Sequence, residues 1–299
     1  MPRDLQLRLL FGAALIAIVG GAVALDLGSG QRWGALALGG AAAALGAREF
    51  ARLARVRAAG VRLAPMLLVS LALVAIAHCY PGGVWAQHCP EVAARLASAP
   101  LEALVLGAGL VWATLSQMVG QQPTAGFFAQ VGGSLFGMLY LGVNLYLLER
   151  LALLGDPAQP DRGLQWLACY LVAVKCGDVT AYFGGRAFGR HALCPAISPG
   201  KTWEGFACSF LGAIGGTWLM HALFASIGAS PFAAWWQPVI WGLVLGPLGA
   251  AGDLAESCMK RDAAMKDSGR GAPGFGGYLD LLDAVLFAAP VAFLLAVAM

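Results

Sequence analysis

The chain has 299 residues, of which 59% are hydrophobic and only 12% are charged, whereas charged residues make up about 25% of an average soluble domain. This composition excludes one large soluble core and indicates segments that bury every face in lipid or against other helices. The net charge of +3 is small, and the basic residues are scattered among apolar runs, which argues against nucleic-acid binding. We therefore predict an all-α, polytopic integral membrane protein that lies in the lipid bilayer and binds no nucleic acid.

Apolar runs of about 17–25 residues are typical of transmembrane helices. The sequence predicts about nine, near 9–25, 33–47, 64–80, 103–120, 127–149, 163–183, 205–227, 231–253 and 279–298. The first ends in Ala22-Val23-Ala24, which also resembles a signal-peptide cleavage site. We interpret it as a retained anchor because further hydrophobic spans follow directly.

The distribution of Lys and Arg predicts the orientation. With the N-terminus inside, fourteen of the nineteen fall on the cytoplasmic side, four fall on the other side, and Lys175 lies within a span. Positive residues are enriched in cytoplasmic loops, so the N-terminus and the loops 184–204 and 254–278 are predicted to be cytoplasmic. The polarity of the spans further divides the chain into N-terminal transmembrane helices, 1–125, and a C-terminal transmembrane catalytic region, 126–299.

Two motifs follow in the second region. Lys175 and Asp178 are three residues apart and share a helix face; a functional pair and a mutually neutralising pair that orients helices are both open readings. The predicted loop after this span is rich in glycine and carries Arg186, Arg190 and Lys201. Such a loop suits phosphate binding, although a basic turn on the cytoplasmic side has the same composition. Ser198-Pro199 reads as the start of the next helix.

A third motif, Asp253 to Asp283, concentrates charge on a chain otherwise built for lipid. Asp253, at the predicted end of its helix, begins a helical stripe that continues with Glu256, Ser257 and Lys260. After a glycine-rich turn, Asp280 and Asp283 open the last span on one face. Three carboxylates, Asp253, Asp280 and Asp283, beside several cations suit a divalent metal that holds a polyphosphate, and Mg²⁺ prefers such oxygen ligands.

At these residues the sequence resembles the phosphatidate cytidylyltransferase family, also called CDP-diglyceride synthase. The C-terminal part of the resemblance consists of Gly252-Asp253-Leu254, Ser257, Lys260-Arg261, Lys266-Asp267, Ser268-Gly269, Pro273-Gly274-Phe275-Gly276-Gly277 and Asp280-Leu281-Leu282-Asp283. The upstream part consists of Asp178, Ala181-Tyr182, Gly185-Arg186, Gly189, Pro195, Ser198-Pro199, Lys201-Thr202 and Glu204-Gly205. Together they cover roughly 178–283, and their order and spacing are specific.

Three positions depart from the family pattern. Phe275 replaces a His, Leu281 replaces an Arg, and Gly200 replaces a common Lys. Each change removes a group that can be cationic, donate a hydrogen bond or contact phosphate. The chain therefore resembles a divergent member, in which Arg270 is a candidate for replacement charge.

The resemblance implies nucleotidyl transfer: the phosphate of phosphatidate attacks the α-phosphorus of CTP, giving CDP-diacylglycerol and pyrophosphate in phospholipid biosynthesis. By analogy, Asp253 and Asp280 ligate Mg²⁺, and Asp283 is a further ligand or lies behind the ligands. Lys260, Arg261 and Lys266 neutralise CTP phosphates, and Arg186 and Lys201 hold the lipid phosphate. The remaining predicted catalytic and substrate-binding residues are Asp267, Asp178, Tyr182, Ser198, Glu204 and Ser257. The resemblance also implies a bacterial-type inner membrane and allows a homodimer.

Two other functions fit part of the pattern. A CTP-dependent kinase for a polyprenol or another lipid alcohol needs a base, for which Asp267 or Asp283 is available; a cytidylyltransferase for a different lipid phosphate is closely related. Outside enzymes, the chain could be a transporter, for which Lys175 and Asp178 would be the supporting pair, or an inactive relative that binds lipid phosphates. The concentration of charge on one membrane face and the lack of a visible inverted repeat argue against a transporter.

Overall fold

The computed structural model describes residues 3–58, 60–119, 124–155, 158–269, 271–272 and 276–299. These residues are mainly helical, which confirms the predicted all-α class. The helices, in chain order, are α1 (Arg3–Ser29), α2 (Trp33–Arg57), α3 (Leu63–Ala77), α4 (Val84–His88), α5 (Pro90–Ala97), α6 (Leu101–Met118), α7 (Phe127–Gly137), a π-helical segment (Met138–Val143), α8 (Asn144–Ala152), α9 (Arg162–Phe188), α10 (Trp203–Ser226), α11 (Gln237–Asp262) and α12 (Leu279–Ala298). Strands β1 (Ala192–Cys194) and β2 (Ser198–Thr202) form an antiparallel hairpin between α9 and α10.

Seven helical spans among the described residues are long and apolar enough to cross a membrane, which confirms a polytopic membrane protein but not the predicted count of nine. These spans are Leu10–Ser29, Leu101–Met118, Phe127–Ala152, Arg162–Phe188, Trp203–Ser226, Gln237–Asp262 and Leu279–Ala298. The predicted second and third spans correspond to α2 and α3. Helix α2 carries five charged residues in its C-terminal half, and α3 has only 15 residues.

The chain forms two compact units. The first unit comprises residues 1–153 and 262–281, and the second comprises residues 154–261 and 282–299. In the first unit, α2 and α3 pack against each other and against the segment from α7 to α8, with Phe50, Met66 and Leu141 in the core. The predicted division at residue 125 rests on the polarity of the spans and stays a prediction.

In the second unit, α9 and α10 pack closely because small residues line their shared face. A Cβ atom added at Gly212 of α10 would lie 2.5 Å from the Cys176 carbonyl oxygen of α9, and one at Gly246 of α11 would lie 2.7 Å from the Cβ of Ala213. At another level Trp166 and Trp241 stack with their ring centroids 4.7 Å apart. Close approach of α9, α10 and α11 therefore brings together the helices that carry most of the predicted site.

Three predicted helix ends are wrong. Helix α9 continues through Gly184-Gly185-Arg186 to Phe188, so these residues belong to a helix and not to a loop. Helix α10 begins at Trp203 instead of Ser198, and Thr202 caps it by accepting a hydrogen bond from the Gly205 N–H. Asp253 lies inside α11, which continues to Asp262. Packing against α10 accounts for the glycines inside α9, and the hairpin accounts for the late start of α10, and the local sequence reveals neither.

The close packing of α9 against α10 leads to a test of stability with two glycines of the same helix. Gly212→Ala should destabilise the protein by roughly 1–3 kcal/mol, as overpacking does in well-packed cores, because its Cβ would meet α9. Gly215→Ala is the matched control, since a Cβ there meets no atom within 4 Å. Thermal unfolding of the purified protein in detergent measures both, and an equal effect of the two changes would contradict this packing.

Candidate active site

Three acidic side chains converge in the second unit. Asp253 and Glu256 lie three residues apart on one face of α11, and Asp283 comes from α12. One carboxylate oxygen from each lies within 4.8 Å of the other two. Glu256 is 0% exposed and Asp283 is 6% exposed, and buried carboxylates are stable only beside positive charge or strong donors. We call Asp253, Glu256 and Asp283 the acidic cluster.

Two lysines supply positive charge to the acidic cluster. Lys201 of β2 places its Nζ 2.8 Å from Asp253 Oδ2 and also donates a hydrogen bond to the Ala250 carbonyl oxygen. Lys260 lies one helical turn after Glu256, and its Nζ is 2.5 Å from Glu256 Oε2. Three carboxylates therefore face two ammonium groups, and the donor set consists of oxygens, which Mg²⁺ prefers. The described residues thus contain an acidic group suited to a divalent cation.

A cavity of about 510 Å³ opens beside Asp253 in the second unit. This volume lies within the range of sites for small molecules. Its polar lining comes from α9, β2 and α11, and at Gly200 a Cβ atom would meet no atom within 4 Å. The lining residues are Asp178, Ala181, Tyr182, Gly185, Arg186, Leu193, Gly200, Lys201, Thr202, Gly205, Phe206, Ala250 and Asp253.

The hairpin that carries Lys201 is held by side chains at both of its ends. Glu204 accepts hydrogen bonds from the backbone N–H groups of Arg190 and His191, and its Oε1 lies 2.6 Å from His191 Nδ1. Arg261 of α11 donates from its Nε to the Ile197 carbonyl oxygen at 3.2 Å. Glu204 and Arg261 therefore contact the hairpin that presents Lys201, and their predicted contacts with substrate and phosphate stay predictions.

On α9, the predicted pair of Lys175 and Asp178 is confirmed as a contact, with Lys175 Nζ 3.4 Å from Asp178 Oδ2. Asp178 also lines the cavity, as do Tyr182 and Arg186 one and two turns later. Arg186 extends back toward Tyr182, with its guanidinium 3.5 Å from the Tyr182 hydroxyl. Asp178 thus borders the cavity on the same helix face as the guanidinium group of Arg186.

Other signature residues lie in the first unit. Asp280 Oδ2 accepts hydrogen bonds from the backbone N–H groups of Ser268 and Gly277 at 3.1 and 2.6 Å. Lys266 and Asp267 are exposed. The predicted roles of Asp280 as a metal ligand, and of Lys266 and Asp267 in catalysis, stay predictions. Arg270 and Pro273-Gly274-Phe275, including the predicted departure at Phe275, fall outside the described residues.

The structure thus brings only part of the predicted set together. Asp178, Tyr182, Arg186, Lys201 and Asp253 share one cavity. Ser257 donates to Asp253 Oδ1 at 3.5 Å, whereas Ser198 pairs with Cys194 in the hairpin.

Glu256 is a candidate that the sequence prediction left out of the metal ligands, although its position three residues after Asp253 is a visible signal. The burial of Glu256, in contrast, could not be predicted, because no local sequence pattern reveals it.

Curated relatives share part of this sequence. A phosphatidate cytidylyltransferase of Chlamydia pneumoniae is 36% identical over 190 residues, which cover 62% of this chain and 60% of that protein. The protein of the same name from Mycobacterium bovis is 41% identical over 135 residues, or 45% of this chain and 42% of the relative. That of Brucella abortus is 39% identical over 158 residues, 53% of this chain and 54% of the relative. The matches thus span about two fifths to three fifths of these relatives' lengths.

The family model covers far more of the chain than these pairwise matches do. The model described as the cytidylyltransferase family matches residues 6–299, a range that contains both compact units, the acidic cluster and the cavity beside it. The chain belongs to the cytidylyltransferase family.

Proposed function

We propose that this chain is a phosphatidate cytidylyltransferase that converts CTP and phosphatidate to CDP-diacylglycerol and pyrophosphate. The proposal rests on one observation above all: in a member of the cytidylyltransferase family, the acidic cluster adjoins, through Asp253, a cavity lined by Lys201 and Arg186. The names of the relatives support the choice of substrates. We place the protein in a bacterial-type inner membrane with its N-terminus and site in the cytoplasm.

The acidic cluster fits the Mg²⁺ that the family resemblance implies. Asp253, Glu256 and Asp283 would hold the ion, and when bound Mg²⁺ neutralises phosphate charge and polarises phosphoryl oxygens. Asp253 is the ligand that reaches the cavity, whereas Glu256 and Asp283 are buried behind it. Buried carboxylates in this arrangement fix the position of the ion, since packing restricts their rotamers.

The cationic lining of the cavity accounts for recognition of two anionic substrates. Lys201 and Arg186 would hold the lipid phosphate against the cavity, because each places a positive charge on its wall. An oxygen of that phosphate forms a bond to the α-phosphorus of CTP, the bond between the α- and β-phosphates breaks, and its electron pair leaves with pyrophosphate. The nucleophile is already ionised, so alignment and charge neutralisation suffice and no strong base is required.

Lys260 and Arg261 take indirect roles in this proposal. Lys260 neutralises Glu256, so its charge serves the acidic cluster before any nucleotide binds. Arg261 holds the hairpin through its hydrogen bond to Ile197 and thereby fixes the position of Lys201 in the cavity wall. These assignments modify the sequence prediction, in which both side chains contacted CTP.

A direct assay tests the proposed function. Purified protein in detergent is given CTP, Mg²⁺ and phosphatidate, and both CDP-diacylglycerol and pyrophosphate are measured. Formation of the two products in equal amounts is expected. A parallel reaction with a polyprenol in place of phosphatidate tests the kinase alternative. If the folded protein phosphorylates the polyprenol and makes no CDP-diacylglycerol, the cytidylyltransferase assignment is wrong.

Conservative changes in the acidic cluster test the metal assignment. Glu256→Gln and Asp253→Asn should each lower kcat/KM about 100-fold or more, because loss of a group that stabilises charge in the transition state has an effect of this size. Each variant should also need a higher Mg²⁺ concentration for half-maximal activity. Asp262→Asn, on the same helix but exposed and paired with Arg57, is the control. Unchanged Mg²⁺ dependence in both cluster variants would refute this metal site.

The departure at Gly200 offers a test in the direction of gain. A Cβ at Gly200 would meet no atom within 4 Å, and Gly200 lines the cavity, so a long side chain fits there. Gly200→Lys should lower KM for the anionic substrates roughly two- to five-fold, the range expected from one partly exposed charge. Gly200→Gln adds similar bulk without charge and serves as the control. Equal KM values for the two variants would show that charge at this position is irrelevant to binding.

A further inference from the structure

We propose that Glu49 of α2 is a positioning residue for the signature loop, by which we mean its described residues 267–269 and 276–278, and for the first turn of α12 that follows it. Nothing in the sequence signature points to α2, and the inference deepens the proposed function because the loop belongs to the family signature. All of the contacts concerned lie in the first unit.

Glu49 is a buried carboxylate that faces one donor of the loop and one donor of α12. It is 8% exposed, and its Oε2 accepts hydrogen bonds from the Leu279 backbone N–H at 2.8 Å and from the Ser268 hydroxyl at 3.2 Å. Leu279 is the first residue of α12, so its N–H is one of the groups that a helix leaves without a partner. A carboxylate at that end also interacts favourably with the helix dipole. Glu49 therefore caps α12 from a helix about 230 residues away in sequence.

Asp280 holds the same loop from the other side. Its Oδ2 accepts hydrogen bonds from the Ser268 N–H at 3.1 Å and the Gly277 N–H at 2.6 Å, and it lies 2.9 Å from the Ser268 hydroxyl, whose single proton it shares with Glu49. The buried Ser268 side chain, which is 0% exposed, thus lies between the carboxylates of Glu49 and Asp280. The two ends of the loop are joined through one hydroxyl.

The loop backbone also closes tightly around Glu49. Added Cβ atoms at Gly269 and Gly277 would collide with the Glu49 carboxylate, and the one at Gly277 would also collide with the Ser268 hydroxyl. Only glycine fits at these two positions while Glu49 keeps its place. The bonds and the steric fit together indicate that Glu49 determines the conformation in which the loop meets substrate phosphates.

Hydrogen exchange and steady-state kinetics of Glu49→Gln test the inference. Gln keeps the size of Glu49 but loses the charge that strengthens both hydrogen bonds. We expect the amides of Ser268, Gly277 and Leu279 to exchange about ten-fold faster or more, and KM for CTP to rise by more than kcat falls.

Asp26→Asn is the matched control. Asp26 is 1% exposed and caps α2 in the same unit, accepting hydrogen bonds from the Gly34 and Ala35 N–H groups at 2.6 and 2.9 Å. This variant should lower the melting temperature in the way a lost cap does, without changing exchange in the loop or KM for CTP. Glu49→Asp retains the charge, so its loop amides should exchange hydrogen more slowly than those of Glu49→Gln. This variant keeps the test informative where Glu49→Gln folds poorly.

The two readouts separate this inference from the proposed function. Faster loop exchange in Glu49→Gln, in a protein that makes no CDP-diacylglycerol even without the change, would support positioning by Glu49 and refute the function. If the loop amides exchange hydrogen at the same rate in Glu49→Gln as in the unchanged protein, the proposed role of Glu49 is overturned. A rise in KM for CTP of equal size in Asp26→Asn would also overturn it, because general destabilisation would then explain the effect.

Discussion

The cost of keeping charge out of water is the constraint on which the second unit depends. A carboxylate in an apolar interior is stable only when cations or strong donors surround it, and Glu256 and Asp283 are both buried in helices that are apolar enough to cross a membrane. Lys201 pairs with Asp253, and Lys260 pairs with Glu256. The carboxylate oxygens of the acidic cluster, which include those of Asp283, are the kind of ligands that a divalent cation would complement.

This electrostatic requirement gives the hairpin between α9 and α10 its importance. Lys201 can neutralise the charge of Asp253 only if β2 holds its side chain beside Asp253, and Glu204 and Arg261 hold the hairpin at its two ends. Glu204 and Arg261, which the sequence prediction assigned to substrate and phosphate contacts, thus contact the hairpin, and their contacts with substrate stay predictions. The charge of Lys201 on β2 balances carboxylates on α11 and α12. The side chains that hold β2 in place therefore contribute to this balance indirectly.

The sequence predicts the class of fold and much of this site, but for identifiable reasons not all of it. Composition and apolar run length determine the membrane class, and spacing along one helix places Asp253 with Glu256. Helix ends are less accessible: Gly184 and Gly185 look like the start of a loop, yet they lie in α9, where their small size admits α10. Burial, which distinguishes Glu256 from Asp262 on the same helix, depends on tertiary packing and has no local signal.

The signature loop also shows what sequence alone cannot resolve, because there are two possible physical reasons for glycine at its positions. Glycine lets backbone N–H groups approach a phosphate, and from sequence alone that explanation would cover the whole turn. At Gly269, however, the space that a side chain would need is occupied by Glu49, and at Gly277 it is occupied by Glu49 together with Ser268 and the backbone of Gly269. Steric exclusion is thus a second cause for glycine at these two positions, and part of it comes from a carboxylate on α2. A residue outside a motif can therefore restrict the composition of that motif from more than two hundred positions away.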